Sequence, residues 1–163
     1  MIKQVKIEEI PLCVDVIKRA FGTVALEFGF TAENAPRFTA FAISKDRLLW
    51  QFNNEDRVMW SYWDNDRIVG YFSVKFLGDG TAELNNLAVL PEYRHRGIGG
   101  KLLDHAFSVC RDRRVCLMKI GIVEENRVLR HWYESYGFEH TGVEKLDFFP
   151  FSCGYLEKKL CGE

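Results

Sequence analysis

The stretch LAVLPEYRHRGIGGKLLDHA, residues 87–106, gathers residues able to hold a phosphate group. An apolar run ends at Pro91, a short basic loop follows, and glycines open a pattern in which Ile98, Leu102, Ala106 and Cys110 recur four apart. The first turn of a helix has unpaired N–H groups and a partial positive charge. Glycine lets an anion approach those groups with no β-carbon in the way. Arg94, His95, Arg96 and Lys101 add positive charge around Gly97, Ile98, Gly99 and Gly100, so the segment reads as a pyrophosphate cradle. A plain loop-to-helix turn would also use glycine. However, glycines at 97, 99 and 100 each cost roughly 1 kcal/mol of helix propensity, which favours a binding reason.

Three phosphate motifs compete for this segment. The P-loop pattern fails, because Lys101 is followed by Leu102 and no glycine stands five residues before Gly100. The dinucleotide fingerprint finds Gly97 and Gly99 but meets Leu102 at its third position, and it expects an early βαβ unit. The pattern Arg-x-x-Gly-x-Gly is met by Arg94, Gly97 and Gly99.

The elements that must position this loop follow from periodicity. Val5 to Ile7 reads as a first strand. Pro11 opens a helix over 11–21, with Cys13, Val16, Ile17, Ala20 and Phe21 on one stripe and Gly22 as its stop. Pro36 is placed at the start of a second helix that buries Phe38, Phe41 and Ala42, and Arg47 to Phe52 reads as a further helical turn. VMWSYW, IVGYFSVKFL and TAELNNLAVL, separated by DNDR and GDG, read as an antiparallel meander ended by Pro91. A helix is expected over Gly97 to Arg111. The unbroken apolar run VCLMKIGIV predicts a strand covered on both faces. Asn126 is the cap of another helix carrying Leu129, Trp132, Tyr133 and Tyr136, closed by Gly137. A hairpin over about Glu139 to Leu160, with Pro150 near its turn, completes the order β-α-α-β-β-β-α-β-α-β-β. With no repeat or linker, residues 1–163 read as a single α/β (α+β) domain with a mixed sheet.

Composition narrows the function classes. The 163 residues are 47% apolar and 28% charged, enough apolar material for a core without a metal or disulfide staple. Twenty-two Lys and Arg against 23 Asp and Glu leave a net charge of −1, which argues against non-specific nucleic-acid binding. No apolar run approaches the roughly 18 residues of a membrane span, and the N-terminus lacks the apolar stretch of a signal peptide. The five cysteines (Cys13, Cys110, Cys116, Cys153 and Cys161) are scattered with no CxxC pair. No metal site is therefore expected, and the cysteines read as thiols in a reducing cytoplasm.

LAVLPEYRHRGIGGKLL resembles the acetyl-coenzyme-A-binding motif of the GNAT superfamily of N-acetyltransferases. ENRVLRHWYESYGF, residues 125–138, is similar to that superfamily's segment in which an asparagine precedes by seven a tyrosine in a Tyr-x-x-x-Gly-Phe ending: Asn126, Tyr133, Gly137 and Phe138. The element order also resembles the GNAT fold, whose central sheet is mostly antiparallel with about seven strands and about four flanking helices. The close likeness covers residues 83–138, and the first 56 residues match in outline only.

The resemblance implies a site residue by residue. The strand before the loop would splay from its neighbour, and pantetheine would pair with the main chain of Leu87, Ala88 and Val89. The pyrophosphate would lie on the amides of Arg94 to Gly99, with Gly100 and Lys101 continuing the turn. Asn126 would meet the cofactor from the next helix, besides acting as a cap. Tyr133 would aim its hydroxyl at the thioester sulfur; on its own pattern it would be a core aromatic. Glu83 is the candidate base, set against a solvent-facing strand glutamate, with Asn85, Asn86 and Glu27 as weaker alternatives. A main-chain N–H near Leu87 would steady the oxyanion.

The implied reaction moves an acetyl group from acetyl-CoA to a primary amine through a tetrahedral intermediate, the acceptor being a small metabolite, amino acid or amine. A protein or peptide N-acetyltransferase and a non-catalytic acyl-CoA-binding module are the alternatives. The aromatics Phe28, Phe30, Phe38, Phe41, Trp60, Trp63, Phe148, Phe149 and Phe151 are weighed as core before acceptor pocket. Glu27 and Glu33 are candidates to hold a cationic amine. Folds of this kind often pair through their final strands, so the resemblance allows a homodimer.

Overall fold

In chain order, the computed structural model, which describes residues 1–161, places β1 (Ile2–Gln4), α1 (Ile10–Phe28), α2 (Thr39–Ala42), α3 (Lys45–Asn54), β2 (Arg57–Asp64), β3 (Arg67–Phe76) and β4 (Thr81–Val89). There follow α4 (Ile98–Asp112), β5 (Leu117–Val123), α5 (Arg127–Ser135), β6 (Glu139–Lys145) and β7 (Ser152–Lys159). The strands form one sheet ordered β1-β2-β3-β4-β5-β7-β6. Every pairing is antiparallel except that of β4 with β5. The expected element order holds, with the second helix and the further helical turn expected before β2 appearing as two separate helices, α2 and α3.

β3 is buried along nearly its whole length because helices cover both of its faces. On one side a Cβ at Gly70 would touch Leu102 of α4, and Phe72 meets His105 of the same helix. α1 lies against the other side of β3 and β4 with Cys13, Val16, Ile17 and Ala20 buried.

Several boundaries differ from expectation. The first strand is Ile2–Gln4, paired with Tyr62 to Trp60. Residues 7–9 instead form a single tight turn, in which the Lys6 N–H donates to Glu9 Oε1 at 2.8 Å. α1 runs through Gly22 and stops at Gly29, where φ is +74°. An interior glycine costs about 1 kcal/mol, which the burial of Ala25 in the added turns helps offset. Pro36 does not open a helix. Thr31 and Asn34 close a turn reciprocally, the Thr31 N–H donating to Asn34 Oδ1 at 2.8 Å and the Asn34 N–H to Thr31 Oγ1 at 3.1 Å. The chain re-enters helix only at Thr39, burying Phe38 and Ala40 and leaving Phe41 exposed. β5 alternates, with Met118, Ile120 and Ile122 buried and Gly121 exposed, so only one of its faces is covered over most of its length.

The aromatics divide in two. Phe30, Phe38 and Phe151 bury one another in a small second core with Ala25, Ala35 and Val123, so the core reading holds for them. Phe148 stays partly exposed, with the Arg37 guanidinium 4.2 Å above its ring. The cysteines also divide: Cys13, Cys110 and Cys153 are free thiols, whereas Cys116 and Cys161 form a disulfide beside the Leu160 N–H bond to the Cys116 carbonyl. The scattered spacing gave no hint of that bridge, because the sheet brings together positions 45 apart. No described helix is long and apolar enough to cross a membrane.

Candidate active site

β4 and β5 pair at only three positions, Thr81 with Leu117, Ala82 with Met118 and Glu83 with Lys119. Beyond Glu83 the strands part, while β4 stays bonded to β3 as far as Val89. At the parting the β3–β4 register shifts, and Asn86 takes φ +56°, a left-handed value that asparagine tolerates better than most residues. The β5-facing edge of Leu87, Ala88 and Val89 is therefore free of ladder partners among the described residues, an open main-chain edge that can accept an extended ligand.

That edge leads into the basic loop. His95 and Gly97 both have positive φ, 63° and 78°. The first helical bond of α4 runs from the Lys101 N–H to the Gly97 carbonyl, so the amides of His95 to Gly100 have no main-chain acceptor. Free amides at a helix start in this arrangement are able to hold an anion. The Arg94 amide donates to the Pro91 carbonyl at 3.3 Å, so it is already engaged. Its guanidinium turns inward, donating to Thr23 Oγ1 at 3.0 Å and to the Ala20 carbonyl at 3.1 Å. Arg94 thus ties the loop to α1, whereas His95, Arg96 and Lys101 are exposed at its rim, Arg96 lying 4.8 Å above the Tyr93 ring.

Gly97 and Gly100 have structural reasons that propensity alone did not reveal. Gly97 needs its left-handed φ. A Cβ at Gly99 would only touch the Trp132 ring at ordinary contact distance, whereas one at Gly100 would collide with the Tyr136 hydroxyl. Packing against α5 therefore accounts for Gly100 and leaves Gly99 without a steric reason, and the open amides are a consequence of the same helix start.

Asn126 caps α5, its Oδ1 accepting from the Leu129 N–H at 3.2 Å. Tyr133 is buried at 6% exposure, its ring 4.9 Å from Trp132 and 5.3 Å from Phe138. Burial pushes its phenol well above the usual tyrosine range, with no hydrogen bond to offset it. The hydroxyl stays protonated at any physiological pH and is a donor without a protein acceptor among the described residues.

Glu83, Asn85 and Asn86 line a cleft of about 350 Å³ roofed by α2 and α3. Its floor is a network absent from the sequence reading. Arg57 Nη1 donates to Ser73 Oγ at 2.7 Å and to Asn85 Oδ1 at 2.8 Å, and Nη2 pairs with Glu55 at 3.0 Å. Lys75 reaches the same Glu55 oxygen at 3.2 Å. Burial would raise the Glu55 carboxyl, but the Arg57 and Lys75 contacts outweigh it and hold it below the usual range. Asn85 is thus committed to Arg57, and Glu27 and Glu33 are exposed and do not line the cleft. The only sequence signal for this floor was parity: register puts Arg57, Lys75 and Glu83 side by side across three strands.

A profile of the acetyltransferase (GNAT) family matches residues 26–138. The chain belongs to that family. An amino-acid acetyltransferase of Pseudomonas putida is 41% identical over 64 residues, 39% of this chain and 14% of that enzyme. A [ribosomal protein bS18]-alanine N-acetyltransferase of Salmonella typhimurium is 30% identical over 74 residues, 45% of this chain and 49% of that enzyme. The chain therefore spans half or less of the length of these relatives. The crystal structure of PaiA N-acetyltransferase from Thermoplasma acidophilum, in complex with coenzyme A, superposes with a TM-score of 0.81, 21% identity and 98% coverage of both chains. That likeness is one of fold. In this GNAT chain the matched span ends at Phe138, before the final hairpin, and includes the strand fork, the basic loop, Asn126 and Tyr133.

Proposed function

We propose that this GNAT protein transfers an acetyl group from acetyl-CoA to the primary amine of a small molecule, with no metal. The observation that carries the reading is the fork after Glu83, with the open amides of His95 to Gly100 at one end and a polar cleft at the other. The open edge of Leu87 to Val89 suits an extended pantetheine arm, and the loop suits a pyrophosphate, with His95, Arg96 and Lys101 at its rim. A cleft of about 350 Å³ suits a small acceptor better than a protein terminus. The reading places the enzyme in the cytoplasm, where Cys116 and Cys161 would meet a reducing pool.

An alkylamine has a pKa of roughly 10.4, so presenting it unprotonated at pH 7 costs about 4 to 5 kcal/mol. Glu83, at the last paired position before the fork and on the cleft wall, is the group to take that proton, directly or through one water. A main-chain N–H beside Leu87 steadies the developing oxyanion. Tyr133 faces the departing sulfur. An ordinary tyrosine is a weaker acid than a thiol by roughly 1.5 units, about 2 kcal/mol, and burial weakens this one further. Its role is therefore to donate a hydrogen bond to the thiolate rather than to hand over the whole proton.

Calorimetric titration with acetyl-CoA, free CoA and NAD tests the cradle, and thiol release over a panel of amines and peptides tests the transfer. Micromolar acetyl-CoA binding without NAD binding supports the reading, and small amines are expected to outrun peptides. Absence of acetyl-CoA binding would overturn it.

A further inference from the structure

The cleft wall holds more cation than its own carboxylates can match. Arg37, Arg47, Arg57 and Lys75 line it against Glu55 and Glu83. A single Glu55 oxygen serves both Arg57 and Lys75. Arg37 is stacked on Phe148, and Arg47 has no ion pair among the described residues. The Nε of Arg57, on a side chain only 5% exposed, is also buried without a partner here. A buried N–H left unpaired costs on the order of 1–3 kcal/mol, more when it belongs to a charged group. A site that carries such a cost beside excess positive charge is complementary to an anion. A guanidinium presents planar paired donors that match a carboxylate. Glu83 stands on the same cleft wall, next to the fork.

We propose that the acceptor is an amino acid whose carboxylate is held by Arg57 and Arg47 while its amine lies toward Glu83 and the fork. The assignment rests on the acetyl-transfer reading for the amine's position, but the carboxylate site stands on the cleft alone. An α-amino acid also explains why the floor is cationic in an enzyme whose acceptor is an amine. A simple alkylamine or polyamine would be repelled by Arg57, Arg47 and Lys75, and a carboxylate on the same molecule offsets part of that repulsion.

The test is a binding experiment that needs no turnover. The twenty amino acids are titrated calorimetrically into protein saturated with CoA, each beside its uncharged C-terminal amide and its decarboxylated amine. At least one free amino acid is expected to bind ten-fold or more tightly than both of its counterparts. Arg47→Glu is expected to erase that preference, with the melting midpoint as folding control, since Arg47 is an exposed position on α3. Arg57→Gln should act in the same sense, and Arg47→Glu keeps the test decisive if Arg57→Gln does not fold. Amides or amines that bind as well as the acids, or no binding by any acid, would overturn the proposal. Acids that bind selectively but are never acetylated would uphold the carboxylate site and overturn the acetyl-transfer reading instead.

Discussion

The groove beside β4 and the cleft beneath α2 and α3 meet at Glu83 but are built from different materials. The groove is walled by main chain: a strand edge from Leu87 to Val89 without ladder partners among the described residues and the amides of His95 to Gly100. Side chains there mainly hold the backbone in shape. Arg94 ties the loop to α1, and Trp132 and Tyr136 pack on the start of α4. The cleft is walled by side chains, with Glu55 held between Arg57 and Lys75. A groove made of backbone tolerates changes of side chain wherever the backbone path survives. A cleft made of interlocked charges does not, because removing one member strands another.

The largest effect is expected at the junction with chemistry. Tyr133→Phe keeps the ring in the pocket formed with Trp132 and Phe138 and removes only the donor. Turnover should fall by about 100- to 1,000-fold, with acetyl-CoA affinity unchanged within about two-fold. Steady-state kinetics beside calorimetry measures both, and equal turnover would remove Tyr133 from the mechanism.

Next comes the cleft network. Arg57→Leu leaves the partly buried Glu55 with Lys75 alone and frees Ser73 and Asn85 of their shared donor, and should cost about 1–3 kcal/mol in urea unfolding. The same network sets a pH dependence. Because the folded Glu55 carboxyl lies below its ordinary value of 4.5, its contribution is complete above that pH and is lost as pH falls through the folded value. Glu55→Gln should flatten that acid limb of the stability curve, and an unchanged limb would show that Glu55 does not control it.

A smaller effect separates packing from ligand as the reason for glycine in α4. Gly100→Ala drives a Cβ against the Tyr136 hydroxyl and should cost about 1–3 kcal/mol. Tyr136→Phe in the same chain should recover most of that loss of melting stability and of acetyl-CoA affinity. If stability is regained and affinity is not, the ligand itself requires glycine there. The smallest change is Asn126→Ala, which removes one cap bond and should lower stability by about 1 kcal/mol. A loss of acetyl-CoA affinity beyond about three-fold would add a cofactor contact to its role as a cap.

Local patterns carried much of this protein. Proline followed by a basic loop and glycines marked the start of α4, the spacing of Asn126 to Gly137 marked α5, and alternation with turn residues marked β2 to β4. These signals are short-range, because caps, turns and amphipathic stripes depend on residues within a few positions of one another. The sequence by itself therefore determined the element order and the place of the basic, glycine-bearing loop that opens α4. Only the tertiary structure decided where β4 leaves β5, which way Arg94 turns, why Gly100 has no side chain, and that Cys116 meets Cys161. It also decided that Arg57, Glu55, Lys75 and Glu83 share one cleft. Each of these is a contact between residues distant in the chain, and an arginine at the start of a strand looks the same to its neighbours whether it ends in water or under a helix.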